Sequence, residues 1–493
     1  MKSDIRGGGS ELRGNELRSG ASLRDELHTL IKSWVLDLPA AFDDHTSLLG
    51  SGLFDSLALF NLILWIETKT GRTIDPTSVN VAKEWDSIAS ILTYLKGVTP
   101  THCGDSAPRS QLKVNTPTPS VYKIVKYDSS YKDAVAEFQT GLWSPNAELN
   151  LRYLEWKYES NPYTNMPIIY LAFNHNALVG MRGFYGSRWE TGVLARQFTV
   201  LVADDLLVHE NHRNRGLVVR IMQAAFEDLR SSGLEYLFNL SGSKLTVLGS
   251  LTMGWRSVGM LRPMGYRSST ATLYHALRRR LSRLPYLWRY AQHRRVYSLT
   301  EQNPYTRLDR ARTPFAVEAG LAVNIDLRPR PKAMAALVKR IGHDGRLRHV
   351  RDETYLDWRF RNPLHEYRFL YIGGEFLDGY LVLKRSGHSH RVHIVDLEAI
   401  NGHVQAALLK AALTAGRFAE LVIWTGTANA ELIKQLYAIG FIPIDQELAT
   451  SGLPCFIARP IHNEHLNDNW CLGNTPLLDL ENWDIRMLYS MAG

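Results

Sequence analysis

Residues Ala203 to Leu229 read ADDLLVHENHRNRGLVVRIMQAAFEDL, and the period of the apolar residues changes half-way along. The stretch opens as an apolar strand. Val218, Ile221, Met222, Ala225 and Leu229 then recur at helical spacing, so the segment after Gly216 is predicted to lay one face on a sheet. Between strand and helix stands Arg213-Asn214-Arg215-Gly216-Leu217-Val218. A polar, glycine-containing turn at a helix N-terminus points several free N–H groups in one direction. That is what a pyrophosphate cradle needs, and Arg213 and Arg215 add charge to it. An ordinary strand-to-helix turn with two solvated arginines has the same local sequence, so the flanking elements have to decide.

Towards the N-terminus the pattern is strand VYKIVKY from Val121, a short helix, Tyr153 to Tyr158, and strands PIIYLAFN and ALVGMRGFYG. Towards the C-terminus it is strand YLFNLS (236–241), a helical run to Met253, and Gly254-Trp255. In order of elements and in the turn itself, the segment resembles the GNAT acyltransferase superfamily. The motif there is R/Q-x-x-G-x-G/A, whose amides hold the pyrophosphate of an acyl-CoA. Arg213 and Gly216 match, while Val218 stands where the motif has a small residue. The resemblance implies a mixed-sheet α/β domain, an acyl-CoA or other pantetheine thioester as donor, and an amine as acceptor. It implies that Arg213, Asn214, Arg215, Gly216, Leu217 and Val218 hold the donor, and that Asn239 and Ser241 bind the amides of its arm. The attacking amine needs a base. Asp205 is the first candidate and His209 the second, with Asp204 and Glu210 beside them at the end of the central strand; each also reads as a plain strand-end residue. Where the family places a tyrosine to protonate the leaving thiolate, this chain has Ser250.

A second copy follows. Tyr153-Leu154-Glu155-Trp156 recurs as Tyr355-Leu356-Asp357-Trp358, and strands YRFLYIGG, DGYLVLKR and VHIVDLEAI, helix VQAALLKAAL and strand LVIWTG follow in the same order. Its turn is Asn401-Gly402-His403-Val404, without an arginine-glycine cradle, so this copy is expected to lack a working cofactor site.

Ahead of both copies, residues 22–97 read as a small helical bundle. The loop FDDHTSLLGSGLFDS leads to a helix from about Ser56. In length, helix order and the motif Asp55-Ser56-Leu57, this segment resembles the acyl carrier protein family. The resemblance implies 4'-phosphopantetheine on Ser56, attached by a phosphopantetheinyl transferase and loaded by an acyl-activating ligase or an acyl-CoA donor. Ser56 opens a helix, where a phosphodiester is favoured, although a serine there is also an ordinary cap. The helix, SLALFNLILWIETKTG, is apolar nearly all round, so part of it is expected to pack elsewhere in the chain.

The expected fold class is thus multidomain α plus α/β: a four-helix acyl-carrier bundle, then two GNAT-like mixed-sheet domains. The expected division is an unstructured 1–21, a carrier-like 22–97, a Pro/Ser/Thr-rich linker at 98–119, a first copy at 120–296 and a second at 297–493. Of 493 residues, 45% are hydrophobic, and no apolar run is long enough for a membrane span. Cys103, Cys455 and Cys471 have no metal-ligand spacing, and a reducing cytoplasm is expected. The net charge is +8, yet residues 22–97 carry ten acids against six Lys/Arg. An acidic head on a basic body favours docking within the chain. Seven arginines lie between Arg278 and Arg295 and read as a carrier dock, an anionic-surface contact or a solvated face. No nucleic-acid motif accompanies them. The leading expectation is an N-acyltransferase moving an acyl group from its own carrier, or from CoA, to a small-molecule amine in a biosynthetic pathway. Two alternatives stay open: loading or decarboxylation of acyl-CoA onto the carrier, and a non-catalytic scaffold that presents it.

Overall fold

A computed structural model describes residues 11–98, 122–267 and 316–491, apart from short breaks inside these spans. Most of the expected linker and the whole arginine-rich connector lie outside the described residues. Four helices come first: α1 (Glu11–Trp34), α2 (Ser56–Thr70), α3 (Val81–Glu84) and α4 (Ile88–Val98). Residues 11–21, expected to lack structure, extend α1. Leu27 and Ile31 anchor that helix in the core, and Glu11, Leu12, Arg13, Glu16, Leu17 and Arg18 are good helix formers able to prolong it. Leu59, Leu62, Ile63, Trp85, Ile88 and Ile91 complete the buried centre. Asp86 ties the long loop to the bundle by accepting from Ser47 Oγ and, at 2.8 Å, from Leu49 N.

The first sheet starts with antiparallel β1 (Tyr122–Lys126), β2 (Ile168–Asn174), β3 (Ala177–Thr191) and β4 (Arg196–Val208). Helices α5 (Lys132–Phe138) and α6 (Ala147–Leu154) connect β1 to β2. From β4 the chain crosses through α7 (Leu217–Leu229) to β5 (Tyr236–Ser241), parallel to β4, as a parallel pair requires. Then come α8 (Lys244–Leu251), β6 (Arg256–Met260) and β7 (Pro263–Arg267). The second copy supplies β8 (Ala316–Glu318), β9 (Leu321–Asp326), α9 (Pro331–Ile341), β10 (Leu347–His349), α10 (Glu353–Arg359), β11 (His365–Gly373), β12 (Leu377–Ser386) and β13 (Arg391–Ala399). Its own crossover is α11 (Gly402–Thr414) to β14 (Glu420–Trp424), followed by α12 (Ala430–Ala438), β15 (Ile442–Pro443) and β16 (Cys455–Pro460). Short strands β17 (Cys471–Leu472), β18 (Thr475–Pro476) and β19 (Trp483–Asp484) lie near the end.

The sheets do not divide at residue 296. Strand β16, from the end of the chain, lies between β5 and β6 of the first sheet, and β7 lies between β14 and β15 of the second. Each copy thus places one strand, β7 or β16, in the sheet of the other. The chains cross where Gly426 N donates to Leu261 O at 3.0 Å. Only glycine fits there, since a Cβ on Gly426 would lie 2.6 Å from Met260 O. The repeated signatures meet as well. Trp156 and Trp358 stack with centroids 4.9 Å apart, and each indole donates to the other's carbonyl, at 2.6 and 2.9 Å. Reciprocal bonds of this kind mark a pseudo-twofold axis.

Helix α2 packs on α8, and its buried residues share one apolar cluster with Leu217 and Ile221 of α7 and Val247, Leu248 and Leu251 of α8. Leu64 remains 44% exposed. No helix among the described residues is long and apolar enough to cross a membrane.

Candidate active site

Strands β4 and β5 pair only at Leu201↔Leu237 and Val202↔Phe238. Beyond these pairs β4 is bulged. Its register with β3 slips between Met181↔Leu207 and Gly183↔Asp204, and Asp205 takes a left-handed φ of 51°. A bulge bends its strand and leaves a residue outside the ladder, and aspartate tolerates that conformation better than most side chains. The strands part here around a cavity of about 200 Å³, lined by Trp143, Arg182, Asp204, Asp205, Asn239 and Ser490 among others.

Asp205 is 1% exposed and has both oxygens filled. Oδ1 accepts from Trp143 Nε1 at 2.9 Å and Lys157 Nζ at 2.8 Å. Oδ2 accepts from Tyr158 Oη at 2.6 Å and Gln139 Nε2 at 3.2 Å. Burial raises its pKa above the usual carboxylate range, against the pull of Lys157. For Lys157, burial acts to lower the pKa, but Asp204 and Asp205 outweigh it and hold the ammonium above its ordinary value. A carboxylate has about four acceptor positions, and all of these are occupied, so Asp205 fixes the bulge and has none left for a substrate proton. Asp204 differs. Its side chain is 20% exposed at the cavity, and Lys157 Nζ bonds its Oδ2 at 2.8 Å.

The expected donor turn lies just past β4. Gly216, at φ 65° and ψ 13°, precedes α7. The first intrahelical donor is Arg220 N, to Gly216 O at 3.2 Å, so the amides of Leu217, Val218 and Val219 have no acceptor within the helix. Arg213 and Arg215 are exposed, with Arg213 Nε on Val208 O at 3.2 Å. Asn214 lies outside the described residues. Val218 packs sideways on the apolar cluster beneath α7, as its place one turn before Met222 allows.

The other expected residues fall in different places. Asn239 is buried and lines the cavity. His209 and Glu210 are exposed in the turn beyond it, where His209 Nδ1 accepts from Asn211 N at 3.3 Å. Ser250 Oγ is turned back along α8 to Thr246 O at 2.7 Å and is not among the lining residues. Ser56 is the first residue of α2, but its side chain and that of Ser241 lie outside the described residues. The sequence reading missed Gln139, Trp143, Lys157, Tyr158, Arg182 and Ser490. One signal was available: the repeat aligns Lys157 with Arg359, two cations at matching positions and both fully buried. Arg359 holds the C-terminal segment, donating to Leu488 O at 2.8 Å and Ser490 O at 2.9 Å.

The second copy has the same splay. Strands β13 and β14 pair from Arg391↔Glu420 to Ile394↔Ile423, next to a cavity of about 350 Å³. Its charges are matched internally. Arg351 and Arg486 both reach Asp396 Oδ1, at 3.2 and 2.8 Å, and Glu398 Oε1, at 2.6 and 2.8 Å. At the start of α11, Asn401 Oδ1 accepts from Val404 N at 3.0 Å. A side chain thus takes up an amide at this helix end, whereas Gly216 offers none before α7.

Residues 132–243, which span the bulge, the Gly216 turn and most of the cavity lining, match the Acetyltransferase (GNAT) family. This segment is a GNAT acetyltransferase domain, and the chain is an acyltransferase of that type. No curated protein sequence matches the chain. Among solved structures, a GCN5-related N-acetyltransferase from Anabaena variabilis aligns at 10% identity and TM-score 0.45, over 69% of this chain and 73% of its own. A tandem GNAT protein from the clavulanic acid biosynthesis pathway aligns at 13% and 0.42, over 69% of this chain and 99% of its own. A GCN5-related N-acetyltransferase from Kribbella flavida aligns at 10% and 0.40, over 69% and 72%. These values indicate similarity of outline alone.

Proposed function

We propose that this chain is an N-acyltransferase that moves an acyl group from a phosphopantetheine thioester to a small-molecule amine, and that the arm is carried on its own Ser56. The observation that carries the reading is the cavity between β4 and β5, with the uncapped N-terminus of α7 following β4. Such a helix end suits a phosphate, and the splay suits the arm that leads inward from it. The tether has separate support: α2, which begins at Ser56, packs on α8 of the same domain. A covalent tether supplies a donor concentration of roughly millimolar.

In the reaction the amine nitrogen attacks the thioester carbonyl, forming the C–N bond. An amide freed at the β4 bulge steadies the oxyanion. Collapse breaks the C–S bond. The nitrogen's proton goes to Asp204, and the thiolate takes a proton from water and leaves as the thiol. The test is intact-protein mass spectrometry of the full chain co-expressed with a phosphopantetheinyl transferase, acyl-loaded and then exposed to amines. Loss of the acyl mass with formation of N-acyl product is expected. Product made from acyl-CoA alone, with Ser56 unmodified, removes the tether from the proposal, and no product from either donor overturns it.

A further inference from the structure

Arg182, on β3 opposite the bulge, is 3% exposed. Its side chain has no hydrogen bond or ion pair with the protein among the described residues, and its Nε is buried without a partner. Its guanidinium carbon lies 6.0 Å from the Phe184 ring, and the side chain lines the cavity that holds Asp204. Four other cations packed within the two copies are matched. Lys157 bonds two carboxylates, Arg351 and Arg486 bond Asp396 and Glu398, and Arg359 bonds two carbonyls and Tyr367 Oη. Burial lowers the pKa of Arg182, the usual sign of a charge denied its solvation. A fold keeps a buried cation unpaired where a ligand supplies the anion.

We propose that Arg182 binds the carboxylate of the acceptor, which is therefore an amine that also carries a carboxylate, an amino acid in the broad sense. This rests on the reading of the chain as an N-acyltransferase. The charge balance argues for the acceptor over the acyl group. Asp204 keeps a fifth of its side chain open to the cavity, so the acceptor's ammonium group has a carboxylate to meet while its own carboxylate meets Arg182, whereas an acidic acyl chain brings no cation for Asp204. With the carboxylate on Arg182, the amino group has Asp204 as its proton acceptor in the same cavity.

The experiment uses the full chain, acyl-loaded, with the common amino acids and their carboxamides as paired acceptors. Transfer is read as thiol release. For the preferred amino acid, kcat/KM is expected to exceed that of its amide on the order of a hundredfold, the effect of one charge-assisted hydrogen-bonded pair. Arg182→Met is expected to level the pair by lowering the amino acid alone, and Arg182→Lys to restore part of the preference. The wild-type ratio needs no variant and stands even where Arg182→Met fails to fold. Equal rates for acid and amide, or a preference that survives in Arg182→Met, overturns the assignment. Equal acceptors together with a preference for a dicarboxylic over a monocarboxylic acyl group places the anion on the donor, and also overturns it. If no amine is acylated, the acyltransfer reading fails by itself. The melting temperature with each amino acid and amide, without donor, then decides the inference: stabilisation by an acid and not its amide supports it, and no difference removes it.

Discussion

Replacing Lys157 by methionine tests whether the buried charges around Asp205 are arranged as described. Lys157 and Asp205 are both fully buried and 2.8 Å apart, and methionine keeps most of the lysine stem while deleting its charge. Removing one partner of a buried pair leaves the other desolvated and unmatched, typically at about 3–5 kcal/mol. Asp204, one-fifth exposed, loses far less because solvent screens it. The pH dependence follows with a definite sign. Burial already raises the Asp205 pKa, and losing its cation raises it further. A carboxyl whose folded pKa lies above the unfolded value of about 4 adds stability at low pH and loses it as pH rises through the folded value. The deficit of Lys157→Met measured by urea denaturation is therefore expected to be larger at pH 8 than at pH 5. Adding Asp205→Asn is expected to recover part of it, with a coupling energy on the order of 2 kcal/mol. A deficit below about 1 kcal/mol and flat across that range refutes the ion-pair account of the bulge.

Gly216→Val is expected to stop transfer with only a modest loss of stability, about 1–2 kcal/mol, because φ at this turn is 65° and the site lies outside the core. Gly402→Ala in the second copy is expected to leave transfer unchanged, and an equal loss there means that both copies work. His349 is buried beside Tyr355 and Tyr489, and burial pushes its pKa down to about 3. The unfolded chain then binds a proton near pH 6.5 that the native state refuses, so stability falls on acidification, by about 2 kcal/mol at pH 5 from this residue. His349→Phe is expected to remove that part of the slope in denaturation curves taken from pH 7 to 5. Ser56→Ala is expected to abolish the mass gained on co-expression with a phosphopantetheinyl transferase, and modification that persists in residues 11–98 rules out Ser56 as the site. Proteolysis within 99–121 is expected to give fragments that co-elute on size exclusion, since separating α2 from α8 exposes shared apolar surface at roughly 25 cal/mol per Å²; clean separation removes the docked arrangement.

What was legible in the sequence was local. The change of period after Gly216 marked β4, the turn and α7, and the paired Tyr-Leu-x-Trp signatures marked the repeat, because both depend on residues close together in the chain. Asn239 fell in the cavity for the same reason, as it sits one crossover from the bulge. The cage around Asp205 was not legible. Gln139, Trp143, Lys157 and Tyr158 come from elements far upstream, and only the fold turns them onto β4. His209 and Glu210 looked equivalent to Asp205 along the chain. The bulge consumes the register that alternation relies on, and the chain then leaves the sheet, which strands both in solvent. Ser250 turns away from the cavity for a related reason: a helical serine can satisfy its hydroxyl on the carbonyl one turn back.

The strand exchange could not be read from any period, because β7 and β16 follow β6 and β15 at the positions expected of strands that stay in their own sheets. It also gives the second copy a structural part in the first copy's site. The first sheet is interrupted between β5 and β6 unless β16 fills the gap, pairing Cys455↔Ser241 through Pro460↔Tyr236 on one side and Ala458↔Arg256 on the other. The far wall of the first cavity is Ser490 and Met491, held in place by Arg359 of the second copy. Tyr185 of the first copy donates to Tyr489 O at 3.0 Å and ties the same segment from the other side. Chemistry assigned to one copy thus depends on backbone supplied by the other. A chain ended before β16 loses both the strand beside β5 and the wall of the cavity, whatever the state of the second copy's own cleft.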